Sequence, residues 1–391
     1  MSEFAGRRVL VLMGNRDASV YGYQALAICR ALGRVGASAV HMETPHVSEV
    51  TRKLPPERIL EAIQTHGCTD ALAVNIPPAL AIPGVVAGDG SIPPGFRWHT
   101  WVQDLYDAHS DLPKMSFETR WNWVRRWGGN VLQPATDYGR FHQESDGYDY
   151  DVSFIGYLPT QQMSFSFTDP RITMDANCIL AEIHKMIGAA PDGCHYRTDP
   201  ESLGSLWRLG ETMAGRQVPE NALQGCLHYL AVNGVRFIQR LILMRRVVAV
   251  CQARGWRLGI SGMEWDRVPD FAPHAIGHCL SGEMAAHLAR RSKINLHCNG
   301  EVLFHNRLLE NFAAGGFTLS WCPGDTDDEG LGVPKFNMGN LEERLDYWVK
   351  RQEERMEVVG RIGDEVREFF TFEEMVTRML RGASGASDEA R

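Results

Sequence analysis

The chain has no uninterrupted apolar run of the ~18–20 residues that a bilayer-spanning helix needs, which excludes such helices. Basic charge is also scarce. Forty Lys and Arg against 48 Asp and Glu leave a formal charge of -8, and the pI is near 6.0, so the electrostatic footprint of a nucleic-acid binder is missing and no nucleic-acid partner is expected. Cysteine is present nine times, an odd number without any C-x-x-C pair, which fits reduced thiols in a cytoplasmic protein better than a disulfide framework. The two His-Cys pairs, His278-Cys279 and His297-Cys298, lack zinc-site spacing, and no metal-ligand cluster is visible. No G-x-G-x-x-G follows any predicted strand, so a nicotinamide dinucleotide site is disfavoured. The sequence contains no internal repeat. The apolar run after Arg7-Arg8 falls short of the ~7–15 residues of a secretory signal and reads as a first β-strand.

What is there is an ordinary enzyme-sized body. Hydrophobic residues make up 44% and charged residues 23% of 391 positions, the balance of a soluble globular chain. That length exceeds a single core, which stops growing at ~250–300 residues, so two domains are expected. The first third alternates strand and helix: Arg8–Met13, Ala37–Met42 and Ala71–Asn75 read as buried strands, and Tyr23–Leu32 and Pro55–Thr65 as helices between them. This is the pattern of an open parallel sheet covered by helices, whose ligands sit beyond the carboxyl ends of the strands. Gly14-Asn15-Arg16-Asp17 falls at such an end. Pro77–Pro94 reads as a long functional loop, leading into an apolar strand, Trp98–Leu105, that carries His99 and Asp104. The sheet resumes at Asn130–Leu132, and Gln133–Tyr148 looks like a crossing between domains.

A fresh strand, Asp151–Gly156, opens the second half. Residues 175–255 are mostly helical, with Asn221–Arg254 as one long helix or two broken at Gly234. Strands return at Arg257–Ser261, Ile294–His297 and Phe317–Trp321. Leu341–Phe369 reads as amphipathic surface helices, and the residues after Arg381 as a disordered tail.

The most informative segment is Lys293–Trp321, which reads strand, loop, helix, glycine stop, strand. Its helix, about Asn306 to Ala314, puts Arg307 and Glu310 on one face. The first turn offers backbone N–H groups and a positive dipole end beside His305 and Arg307, a combination that suits a diphosphate. Glu310, one turn on, is placed to accept hydrogen bonds from ribose hydroxyls, and Gly315-Gly316 releases the chain into the next strand.

This segment resembles the donor-binding motif of GT-B-fold glycosyltransferases, and its likeness is closest to the CgeB-like (spore maturation) glycosyltransferases. Val131–His142 looks like the interdomain stretch of that fold, and Asp151–Gly156 like the first strand and glycine turn of its C-terminal domain. The likeness runs from about Val131 to Phe317, and the helices of Leu341–Leu380 are similar in character to the family's closing helices. It departs from many GT-B enzymes at Val302, where a second carboxylate is common, and after Gly156, where a basic pair often follows.

The resemblance implies an α/β GT-B fold, two Rossmann-like domains whose parallel sheets face a central cleft. It divides the chain into an acceptor-side domain over 1–147, a nucleotide-sugar-binding domain over 148–345 with a helical insertion at about 175–255, closing helices over 346–380 and a tail over 381–391. It further implies a metal-independent, hexosyltransferase-type enzyme without a cofactor, which moves a sugar from a nucleoside-diphosphate sugar to an unidentified hydroxyl or amine acceptor on a glycan, protein or small metabolite. Gly14, Gly156, His305, Arg307, Glu310 and Gly315 would hold the donor. Asp104 or the competing base His99 would serve the acceptor, and Arg307 would stabilise the leaving diphosphate. A non-catalytic GT-B-like nucleotide- or glycan-binding protein and a nucleotide-sugar epimerase are the alternatives on the same scaffold.

Overall fold

The computed structural model describes residues 2–14, 20–44, 55–74, 92–101, 136, 147–158, 164–192, 200–230, 234–279, 281–298, 303, 305–322 and 330–381. The sequence readings of Pro77–Pro94, Asn130–Leu132, Asp104, Val302 and the C-terminal tail lie wholly or mainly outside these residues.

Among the described residues two four-stranded sheets organise the fold, and every pairing in them is parallel. The first comprises β1 (Arg8–Gly14), β2 (Ser38–Thr44), β3 (Asp70–Val74) and β4 (Arg97–Trp101), in the order β2-β1-β3-β4. Val9 through Met13 are buried without alternation, because a parallel strand is covered on both faces. Helix α1 (Val20–Val35) packs on one face and α2 (Pro56–His66) on the other. The second helix starts with Pro56 in its first turn, where a missing N–H costs nothing. It stops at Gly67, whose left-handed backbone (φ 59°) lets its N–H reach the carbonyls of Ile63 and Gln64.

The second sheet comprises β5 (Tyr150–Ile155), β6 (Leu258–Ser261), β7 (Ser292–Cys298) and β8 (Thr318–Trp321), ordered β6-β5-β7-β8. Relative to chain order both sheets follow the same 2-1-3-4 plan, a repeat of topology that leaves no repeat in the sequence. Among the described residues four helices lie between β5 and β6: α3 (Pro170–Ala189), α4 (Pro200–Ala214), α5 (Glu220–Tyr229) and α6 (Val235–Arg254). They share a core of their own that includes Phe165, Ile183, Trp207 and Ile238. The long helical stretch contains α5 and α6; Gly234 keeps helical backbone angles, and a Cβ there would lie 2.7 Å from the Tyr229 ring.

Helices α7 (Gly282–Arg290) and α8 (Asn306–Ala313) flank β7. Then α9 (Leu341–Lys350) and α10 (Gln352–Phe369) complete the cover of the second sheet, with Leu341, Leu345, Val359, Ile362 and Val366 in its core. The last helix, α11 (Phe372–Arg381), returns to the first sheet. Its Phe372, Met375, Val376, Met379 and Leu380 join the core formed by β1 and α1. At the crossover, Thr136 bridges the two arms: its N–H donates to the Phe370 carbonyl and its carbonyl accepts from the Phe372 N–H. Among the described residues no helix is long and apolar enough to cross a membrane.

Candidate functional site

In an open parallel sheet, a crevice opens where neighbouring strands send their connections to opposite faces. The plan 2-1-3-4 puts that point between β5 and β7 in the second sheet, and between β1 and β3 in the first. Gly14 is the last residue of β1, at the carboxyl end of the first sheet's switch point. Gly156 follows β5 directly, and His297 and Cys298 end β7.

Around the second switch point the turn after β5 is packed tightly. The Gly156 N–H donates to the Ser261 carbonyl, and its own carbonyl accepts from the Trp265 indole. Gly262, with φ 145°, lies so close that a Cβ there would fall 1.8 Å from the Gly156 oxygen. Gly156 is itself fixed by crowding, since a Cβ would sit 2.8 Å from the Phe154 ring and 3.5 Å from the Arg240 guanidinium carbon. Arg240 reaches this turn from α6. It donates to the Tyr157 carbonyl at 2.6 Å and lies over the rings of Phe154, Tyr157 and Phe237 at 5.6–5.9 Å, which fixes a largely buried cation in one orientation.

Across the crevice, His305 caps α8: its Nδ1 accepts from the Arg307 backbone N–H at 3.2 Å. One of the helix's first N–H groups is therefore met by this imidazole, which gives His305 a structural reason as a cap. Arg307 and Glu310, three residues apart, form an ion pair at 2.9 Å. The Glu310 side chain is only 4% exposed, which rules out a solvated helix residue. Gly315 has φ 79° and ends α8 in a Schellman turn, with N–H bonds from Gly315 to the Phe312 carbonyl and from Gly316 to the Asn311 carbonyl. That backbone demand accounts for Gly315 by itself. Gly316 has a different reason, since a Cβ there would lie 2.6 Å from the Ala289 carbonyl.

Beside His305, at a ring separation of 6.1 Å, lies His297. Burial pushes its imidazole down to about 3, and the nearby His305, Arg307 and Arg240 push the same way. Its Nδ1 is buried and meets no hydrogen-bond partner among the described residues. Four nitrogen-bearing side chains thus converge on the end of β7, with Glu310 one turn behind them. Because the folded value lies below the 6.5 of a free imidazole, the unfolded chain binds more protons between those values. The contribution to stability is fully present above pH 6.5 and is lost as pH falls towards 3, by at most about 1.4 kcal/mol per unit. We expect His297→Asn to flatten the fall in urea midpoint between pH 7 and pH 5; an unchanged profile would contradict this assignment.

The sequence readings fare unequally. The structure places His305, Arg307 and Glu310 together at the α8 start, and Gly156 on the neighbouring strand end. His99 requires a correction: it is fully buried within the first sheet, with Nε2 3.2 Å from Asp70. Burial lowers its pKa, and Asp70 acts in the opposite direction. A base must reach the proton it abstracts, and His99 instead completes a buried polar cluster. Trp98 and Trp101 are likewise core residues. Asp104 lies outside the described residues. Arg240 and His297, which the structure adds to this region, are not singled out by the sequence; a charged residue on the apolar stripe of α6 was the available signal.

The folded arrangement defines a GT-B fold: two parallel α/β sheets of like topology, each with its crevice, and a C-terminal helix returning to the first. Residues 244–381 match the glycosyl transferase-like family. No curated protein matches the chain in sequence. In structure it is similar to an alpha-glucosyltransferase in complex with UDP and a 13-mer DNA, at a TM-score of 0.51 and 8% identity over 97% of this chain and 99% of that one. A glycosyltransferase from Rickettsia africae aligns at a TM-score of 0.46 and 10% identity over 98% and 99% of the two chains. A Listeria monocytogenes protein described as a putative UDP-N-acetylglucosamine 2-epimerase aligns at 0.47 and 9%, over 99% and 98%.

Proposed function

We propose that the protein is a glycosyltransferase of CgeB-like type that moves a hexose from a nucleoside-diphosphate sugar to a hydroxyl or amine acceptor, without a metal. The observation that carries this reading is the buried Glu310 carboxylate, held by Arg307 one turn into a helix that starts at the second sheet's switch point, inside the segment that matches the glycosyl transferase-like family. A buried carboxylate at that distance from a helix start suits two ribose hydroxyls, while the helix start suits the diphosphate. Departure of the diphosphate is the demanding step, and donors preorganised around Arg307 offset its growing charge. The acceptor would lie against the loops of an N-terminal domain over 1–147, with Gly14 and Asp104 on that side. The donor domain would cover 148–345, closed by helices over 346–380.

Glu310→Gln removes a charge-assisted hydrogen bond, a loss of about 1.5–3 kcal/mol, or roughly ten- to a hundred-fold in donor affinity. A thermal-shift panel of UDP, GDP, dTDP, ADP and CMP tests this. The expected result is a shift with one nucleotide that disappears in the variant; equal shifts in both proteins would sink the ribose role.

A further inference from the structure

We propose that Arg240, delivered by the helical segment between β5 and β6, and His297 at the end of β7 form the second half of a diphosphate site, so that the donor carries two phosphates and not one. The inference rests on the donor reading above and extends it to residues outside the α8 motif.

A diphosphate needs positive charge on two sides, and the turn after Gly156 provides none from its own sequence, Tyr157-Leu158-Pro159-Thr160. Arg240 fills that place from α6. Its guanidinium is oriented by the Tyr157 carbonyl and by the rings of Phe154, Tyr157 and Phe237, and it abuts Gly156 at the strand end. An oriented and largely buried guanidinium loses little freedom on binding a phosphate and meets little competition from water. His297 is the independent observation. Its buried Nδ1 has no hydrogen-bond partner among the described residues, and such a group is costly unless something meets it. Arg307 from the α8 start and Arg240 from α6 both disfavour its protonation. A neutral imidazole at this point donates one N–H, and an anion beside it turns surplus positive charge from a liability into a binding energy.

The two halves divide the work. The α8 start with Arg307 meets one phosphate, and Arg240 with His297 meets the other. During transfer the bond from the sugar's anomeric carbon to the terminal phosphate oxygen breaks, its electron pair stays on that oxygen, the acceptor oxygen or nitrogen forms the new bond to that carbon, and the acceptor's proton passes to the departing diphosphate or to water. Arg240 is in place for the charge that collects on the departing diphosphate.

Calorimetric titration of the full chain tests this, with inorganic pyrophosphate, with UDP, GDP, dTDP and ADP, and with the monophosphate of whichever nucleotide binds. Arg240→Gln should weaken pyrophosphate and the cognate diphosphate at least tenfold and erase the preference for diphosphate over monophosphate. Arg240→Lys, which keeps the charge and guards against a folding defect, should recover part of it. Glu310→Gln should weaken the nucleotide more than pyrophosphate. Undiminished pyrophosphate binding in Arg240→Gln overturns the inference while leaving the ribose role of Glu310 standing. No pyrophosphate binding by the unmodified protein overturns the inference as well. Arg240-dependent pyrophosphate binding with no response to any nucleotide supports the anion site and overturns the nucleotide-sugar reading instead.

Discussion

Phe372→Ala should cost about 3–5 kcal/mol of stability, the range for truncating a buried aromatic side chain whose cavity cannot collapse. Phe372 is 1% exposed and packs edge-on against Trp101 at 5.7 Å between ring centroids. It heads a stripe, continued by Met375, Val376, Met379 and Leu380, that enters the core of the first sheet. Its backbone is also pinned at the Thr136 bridge, so α11 cannot slide to refill the space. The loss should appear as a lower denaturant midpoint in urea unfolding, whereas Phe369→Ala, at a position 39% exposed, should change little. Equal effects of the two substitutions would mean that α11 is not anchored in this way.

A loss of similar size, about 3–5 kcal/mol, is expected for Asp70→Ala, because removing the buried carboxylate leaves Arg97, Thr69 and the buried His99 without their shared acceptor. Asp70 is fully buried at the start of β3. It receives hydrogen bonds from Arg97 Nε at 2.8 Å and Thr69 Oγ1 at 2.7 Å, lies 3.2 Å from His99, and has Arg7 at 3.7 Å. Arg97 spends another N–H on the Leu380 carbonyl at 2.7 Å, so the carboxylate also steadies the end of α11. Burial alone would raise the Asp70 pKa; the hydrogen bonds from His99, Thr69 and Arg97 outweigh it and hold the carboxyl at about 2. Its folded value lies below the 3.8 of a free side chain, so its stabilisation is complete above pH 3.8 and fades as pH falls through 2. Urea unfolding of Asp70→Ala and Asp70→Asn at pH 7 checks this, with asparagine losing less because it keeps an acceptor. A change under about 1 kcal/mol in the alanine variant would show that the cluster carries no net stabilisation.

The strands and most helices were legible in the sequence because they obey local rules. Continuous apolar runs such as Val9–Met13 mark strands covered on both faces, and Pro56 and Gly67 bracket α2 by backbone preference alone. The α8 region was legible for the same reason: a cap, a helical spacing and a Gly-Gly stop occupy a dozen adjacent residues. Arg240 and His297 were not, since they stand more than fifty positions apart and meet only when α6 packs beside β5 and β7. His99 misled for the opposite reason. A histidine on a strand reads as a base, and its partner Asp70 lies 29 positions earlier in the chain. The destination of α11 was also hidden, because an amphipathic stripe says that a face is covered without saying by which sheet.

The second sheet runs β6-β5-β7-β8, and this order bears on how the protein can be divided. The stretch recognisable as glycosyl transferase-like begins at residue 244, inside α6, and so includes three strands of that sheet but omits β5, the plank between β6 and β7. It also ends with a helix whose apolar stripe belongs to the other sheet. A recombinant fragment cut at those borders would have a gap in mid-sheet, two strand edges open to pairing with other chains, and a greasy helix without its seat. Kinship and foldability are therefore separable here: the part of the chain that preserves family likeness is not a part that can be lifted out whole.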